Sequence, residues 1–249
     1  MMRTTAPNWF PSSTASTLMA IKPTGDSPTW WSLTSISPSG SRRRCPWTRS
    51  APYCVQASPC IPLMKQHGLD QPGKHLGVVG LGGLGHLAVK FGRAFGLRVT
   101  VISSTPDKEK DAVEQLGADS FIVISNAEQM KAAAGTMDHI VSTSAGVLSL
   151  SPLVALLKTH GKIIMVGTST KPMEIPSFDL VSASSGSMIG GMKVAQEMME
   201  FASEHRVTPE VEVVRMEDVN LAMERLEKGD VRYRFVVDVA NAFHDCRVD

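Results

Sequence analysis

Gly80-Leu-Gly-Gly-Leu-Gly85 constrains the fold of this chain more than any other stretch. It follows the apolar run Leu76-Gly77-Val78-Val79 and opens a helical pattern of Leu84, Leu87, Ala88, Phe91 and Phe95. Strand, glycine turn and helix in that order begin a βαβ unit, and G-x-G-x-x-G in that setting reads as a dinucleotide site. The first glycine allows the tight turn, the second lets backbone approach a pyrophosphate, and the third lets helix and strand pack closely. The helix N-terminus offers N–H groups and a positive dipole end to the phosphates. The bland alternative is a glycine-rich turn with no ligand; the flanking strand and helix favour the dinucleotide.

The next strand narrows the cofactor. An NAD site usually carries Asp or Glu where this strand ends, to bind the ribose 2′-hydroxyl. After Val99-Thr100-Val101-Ile102 the chain instead has Ser103-Ser104-Thr105, with Lys108 close behind. Hydroxyls can donate to a 2′-phosphate and an ammonium can pair with it, so NADP is expected rather than NAD. Ser and Thr are also ordinary helix N-caps, and the two roles can coexist.

Composition changes sharply near residue 62. The chain has 249 residues and a formal net charge of +1, which argues against a dedicated nucleic-acid binder. All four Trp and three of four Cys (Cys45, Cys54, Cys60) lie before that point, whereas 23 of the 24 acidic residues lie after it. Residues 1–61 are rich in Ser, Thr and Pro without sustained periodicity, so low order is expected there. They hold no signal-peptide apolar region, which makes a cytoplasmic location the default. No stretch is long and apolar enough to span a membrane.

After residue 62, apolar runs alternate with helical patterns. Strands are expected at 75–80, 98–103, 119–124, 138–142, 161–167 and 186–190, with an extended piece near 173–176. Helices are expected at 84–96, 107–116, 126–133, 149–158 and 193–205. Such alternation implies an α/β, doubly wound parallel sheet of Rossmann type. The tail adds strand 211–214, helix 216–226 and strand 232–239, a unit whose apolar face calls for a partner from earlier in the chain. The expected domains are therefore a low-order segment 1–61, a nucleotide-binding domain 62–209, and a piece of an incomplete second domain at 210–249.

Residues 62–243 resemble the C-terminal half of plant cinnamyl alcohol dehydrogenases, within the zinc-dependent medium-chain alcohol dehydrogenases. The matching stretches are Pro62-Leu-Met-Lys-Gln-His-Gly-Leu-Asp-Gln-Pro-Gly73, Gly77–Phe91, Leu116-Gly-Ala-Asp-Ser-Phe121 and Ala132-Ala-Ala-Gly-Thr-Met-Asp138. His160-Gly-Lys-Ile-Ile-Met-Val-Gly167, Ile189-Gly-Gly-Met-Lys193 and Asp230-Val-Arg-Tyr-Arg-Phe-Val-Val-Asp238 complete them. The resemblance implies NADP-dependent interconversion of hydroxycinnamyl aldehydes and alcohols, a step of lignin monomer formation. It implies that Gly80, Leu81, Gly82, Gly83, Leu84 and Gly85 contact the pyrophosphate. Ser103, Ser104 and Lys108 would take the 2′-phosphate, and Thr143, Gly167, Gly190, Gly191 and Met192 would line the path to the nicotinamide. It also implies a homodimer formed through the sheet edge near Ser187–Ile189.

The family's catalytic zinc needs three protein ligands and an open fourth position, taken from a Cys, the His of a Gly-His-Glu stretch and a second Cys. This chain has no Gly-His-Glu, no Cys₄ cluster, and no His in its first 61 residues. No metal or catalytic residue is assigned; Cys54 falls near the family's second Cys ligand, in unlike surroundings. Cys54 to Pro59 reads like the family's Cys-Ala-Gly-Ile-Thr-Val region decoded one base out of phase. A shifted reading frame or mis-spliced origin for residues 1–61 is therefore expected, and sequencing the transcript across Pro62 tests it. The expected function is a non-catalytic NADP-binding remnant. The alternatives are an active alcohol dehydrogenase with an unrecognised zinc site, or a dimerising structural or regulatory module.

Overall fold

The computed structural model describes residues 18–21, 64–144, 149–167, 176–177, 179, 184–186 and 192–238. Six strands form one sheet: β2 (His75–Val79), β3 (Arg98–Ser103), β4 (Ser120–Val123), β5 (Met137–Ser142), β6 (Leu157–Met165) and β7 (Ser184–Gly186). Their order is β4-β3-β2-β5-β6-β7, and every pairing is parallel. β2 is buried along its whole length and β3 in all but Arg98, because helices cover both faces of a parallel sheet. On one face α1 (Gly85–Ala94) and α4 (Met192–Glu204) set Leu87, Phe91, Met198 and Ala202 against Leu76, Val78, Val99 and Val101. On the other, α2 (Ala127–Ala132) and α3 (Ser151–Val154) cover Ile102, Ile122, Ile140 and Ile163. This is the Rossmann-type doubly wound architecture.

A hydroxyl ladder ties the strands together near their amino ends. The Thr136 carbonyl takes a hydrogen bond from His75 Nδ1–H at 3.0 Å, which leaves Nε2 to accept from the Thr100 hydroxyl at 2.7 Å. Thr100 Oγ1 then accepts from Ser120, also at 2.7 Å. Burial holds His75 below the usual histidine range, so the neutral tautomer this ladder needs is the favoured one.

Two helices differ most from the sequence-based expectation, and the helix expected at 216–226 also opens as a 3₁₀ turn, Met216–Asp218, before the α-helix at Val219–Glu227. The helix expected at 107–116 is a 3₁₀ turn, Pro106–Lys108, followed by a π turn, Asp111–Gln115. The i→i+5 bond from Leu116 N–H to the Asp111 carbonyl, 3.0 Å, widens the coil before Gly117 ends it at φ +77°. The helix expected at 149–158 stops at Val154, and β6 begins at Leu157. The carbonyls of Ala155 and Leu156 accept from Gly135 and Met137 N–H at 3.0 and 2.9 Å, drawing this backbone toward β5.

The tail forms a second, three-stranded parallel sheet in which β9 (Phe235–Asp238) lies between β1 (Leu18–Ile21) and β8 (Glu212–Arg215). β8 (Glu212–Arg215), α5 (Val219–Glu227) and β9 (Phe235–Asp238) come from the tail itself. β1 is Leu18–Ile21, from the first segment. Leu18-Met-Ala-Ile21 is the longest apolar run there, and the open edge of β9 offers it backbone partners. Residues 173–175 and the dimer edge Ser187–Ile189 lie outside the described residues.

Candidate functional site

Strand order reverses between β2 and β5, with β3 on the other side of β2. Open α/β sheets bind ligands at such a switch point, outside the carboxyl ends of the strands. The glycine turn leaves β2 there. Gly80 adopts φ +87°, a conformation open to glycine, and its N–H donates to the Ile102 carbonyl at 3.0 Å. From the end of β5, the Thr143 hydroxyl bridges the carbonyls of Val79 and Gly80, each 3.0 Å away. Thr143 therefore holds the turn in shape. Gly167, after β6, has no room for a Cβ beside the Ser144 carbonyl, so it lets the ends of β5 and β6 close up.

The remaining glycines do different work. A Cβ on Gly82 would meet nothing within 4 Å, so this backbone faces open space. A Cβ on Gly85 would run into the Gly80 carbonyl, because helix and turn cross there in contact. A Cβ on Gly83 would overlap the guanidinium of Arg234. Leu81 is buried, and the Leu84 carbonyl accepts from Ala88 N–H at 3.0 Å in the first turn of α1. That turn carries no acidic residue and no side-chain cap, so no carboxylate competes with an anion at the helix end.

At the neighbouring strand end, Ser103 is buried and its Oγ accepts from Thr105 N–H at 3.4 Å, while Ser104 is exposed. Lys108 folds back over the turn, its ammonium 3.1 Å from the Leu81 carbonyl. Burial first, and then the Arg232 charge, hold its pKa below the usual lysine range. The structure thus brings Gly80–Gly85, Ser103, Ser104, Lys108, Thr143 and Gly167 to one end of the sheet. Gly190, Gly191 and Cys54 lie outside the described residues, as does the side chain of Met192.

Arg234 is the residue the sequence reading missed. It is 4 % exposed, and desolvation lowers it to about 9, still protonated at neutral pH. The visible signal was an arginine directly before the apolar run Phe235-Val-Val, inside the quoted Asp230–Asp238 stretch. Its neighbours fasten the tail to α1. Tyr233 stacks on His86 with centroids 4.8 Å apart, and Lys90 donates to the Thr208 carbonyl at 2.7 Å and pairs with Glu210.

His86 joins the two units by a defined tautomer. Its Nε2 accepts from Glu210 N–H at 3.2 Å, so Nδ1 carries the proton and donates to the Gly82 carbonyl at 3.0 Å. Burial lowers its pKa to about 3. The unfolded chain, with His86 near 6.5, binds this proton more readily than the folded one between those values. This contribution to stability is complete above pH 6.5 and falls as pH drops toward 3, by at most ~1.4 kcal/mol per unit. Urea midpoints of wild type and His86→Asn across pH 4–7 check it; the variant should show a shallower slope, and equal slopes would refute the assignment.

Among the described residues, no three His, Cys, Asp or Glu side chains converge as a metal site. No described helix is long and apolar enough to cross a membrane.

Comparison with known proteins agrees with this geometry. Residues 83–204 match the zinc-binding dehydrogenase family. A rice (Oryza sativa subsp. japonica) protein named "Probable cinnamyl alcohol dehydrogenase 9" is 58% identical over 211 residues, 84% of this chain and 58% of its own. The 8-hydroxygeraniol dehydrogenase of Catharanthus roseus is 56% identical over 191 residues, 76% of this chain and 53% of its own. A cinnamyl alcohol dehydrogenase structure from Sorghum bicolor superposes with TM-score 0.75 at 49% identity, over 78% of this chain and 56% of that one. The Helicobacter pylori enzyme, solved with NADP(H), gives TM-score 0.71 at 28% identity, over 79% and 56%. The chain thus spans little more than half the length of these relatives. This chain carries a zinc-binding dehydrogenase domain at residues 83–204 and is cinnamyl-alcohol-dehydrogenase-like over the part of the plant enzymes that it spans.

Proposed function

We propose that this chain binds NADP across the carboxyl ends of β2, β3 and β5. The observation that carries this reading is the buried Arg234 cation against Gly83, beside a Gly82 backbone that faces open space. A diphosphate brings charge of the opposite sign to a place already shaped for close backbone approach. In this reading Gly80–Gly85 and Arg234 hold the pyrophosphate, and Ser103, Ser104 and Lys108 hold the 2′-phosphate. Thr143 and Gly167 border the nicotinamide. Residues 62–209 act as the nucleotide-binding domain and 210–249 as part of a second domain. The likeness to a structure solved with NADP(H) supports the cofactor choice.

When bound, NADPH supplies a hydride to the carbonyl carbon of an aldehyde. The relatives' names point to small alcohols and aldehydes as the substrate class, hydroxycinnamyl compounds foremost. We assign this chain the cofactor-binding part of that activity without turnover. Aldehyde reduction in the family relies on a zinc Lewis acid, and the first 61 residues contain no His to join their cysteines. A homodimer through the sheet edge near Ser187–Ile189 belongs to this reading, and β7, just before it in the chain, is an end strand of the larger sheet among the described residues.

The test is zinc content, NADPH binding and NADPH-dependent reduction of a cinnamyl aldehyde, all on the full purified chain. Bound NADPH with neither zinc nor turnover is the expected result. Stoichiometric zinc with turnover would establish a working dehydrogenase instead, and failure to bind NADPH would overturn the cofactor reading.

A further inference from the structure

We propose that Arg232, reaching across from the tail, is a second reader of the NADP 2′-phosphate and sets the preference for NADP over NAD. This rests on the dinucleotide reading above.

The argument begins with placement. Arg232 Nε lies 2.8 Å from Oδ2 of Asp111, the residue that opens the π turn just after Lys108. The Arg232 side chain is 52% exposed, whereas that of Asp111 is only 17% exposed. The carboxylate is thus an inner anchor, and the guanidinium keeps a solvent-facing side. Its backbone is held independently: Arg232 N–H donates to Glu212 Oε1 at 2.8 Å, and Glu212 Oε2 accepts from Arg225 at 2.8 Å. Arg225 also pairs with Asp230 at 2.9 Å. A guanidinium fixed at both ends loses little freedom when it takes a ligand.

Charge then names the ligand. Arg232 and Lys108 stand close enough that the Arg232 cation opposes protonation of Lys108, while Asp111 and Asp107 favour it. The folded chain therefore gathers two cations from separate units beside the end of β3, where Ser103-Ser104-Thr105 supplies no carboxylate. A phosphate there relieves the repulsion between them and accepts from both. A ribose 2′-hydroxyl gives no such relief, so Arg232 discriminates between the two dinucleotides. The simpler alternative is that Arg232 only docks the tail onto Asp111, and that role is blind to the 2′-phosphate.

The two roles separate in titrations of the full chain with NADPH and with NADH, followed by nicotinamide fluorescence. Arg232→Gln should weaken NADPH about tenfold, the size of one lost charge-assisted hydrogen bond, and change NADH less than about twofold. Arg232→Lys, which keeps the charge, should recover part of the NADPH affinity. Equal weakening of both dinucleotides by Arg232→Gln, or weakening of neither, would overturn the proposal. A wild-type chain that binds NADPH and NADH equally would overturn it as well, because nothing is then selected. A wild-type chain that binds neither would overturn the dinucleotide reading itself.

Discussion

Gly85→Ala should destabilise the nucleotide-binding sheet by about 3 kcal/mol, although alanine in a helix normally gains close to 1 kcal/mol over glycine. The sign reverses because a Cβ at residue 85 would strike the Gly80 carbonyl and lie 3.1 Å from Thr143 Oγ1. Neither neighbour can yield: the carbonyl belongs to a turn fixed by φ +87°, and the Thr143 hydroxyl is what fixes it. Gly82→Ala, in the same motif, should leave stability within about 0.5 kcal/mol, since its Cβ would point into open space. It should weaken NADPH instead, by filling the gap where backbone meets pyrophosphate. Urea denaturation of the two variants and NADPH titration of Gly82→Ala measure the contrast. Equal stability of Gly85→Ala and wild type would mean that helix and turn do not cross as described.

Arg234→Leu should abolish most dinucleotide affinity, about a hundredfold or more. A cation 4 % exposed and lowered to about 9 by desolvation is held at a cost to the empty protein. Replacing a whole buried ion pair by apolar side chains is often neutral or stabilising, whereas removing one partner is destabilising, so Arg234→Lys, which keeps the charge, is the control. Arg234→Lys is therefore expected to recover part of the NADPH affinity that Arg234→Leu loses, which a side chain that only packs would not produce. The measurement is an NADPH titration beside a urea midpoint on the same preparation. Unchanged NADPH affinity in folded Arg234→Leu would reduce Arg234 to a packing element.

The two variants mark the boundary of what could be read from residues in order. The turn was legible because Gly80, Gly82 and Gly85 act through local geometry, and their spacing states which backbone atoms approach which. The strands were legible because runs such as Val99–Ile102 and Ile163–Val166 are apolar throughout, as burial on both faces requires. Arg234 was not legible as part of the site. Its role comes from the path of the tail, and that path is set by His86, Lys90 and Tyr233 acting between residues far apart in the chain. The ends of α3 escaped prediction for a related reason. Nothing within residues 149–158 reports that Gly135 and Met137 will take the Ala155 and Leu156 carbonyls. Asp111 likewise looked like an ordinary helix residue until the π turn set it against Arg232.

The tail's grip on α1 also has a consequence for biosynthesis. The glycine turn and all six strands of the larger sheet leave the ribosome before Arg232 and Arg234 do, because both arginines lie beyond β8. A nascent chain can therefore assemble its sheet early and still present an unfinished ligand site. Under the reading proposed here, the dinucleotide engages only chains whose synthesis has passed β9. By mass action it then favours those completed molecules over stalled or clipped ones.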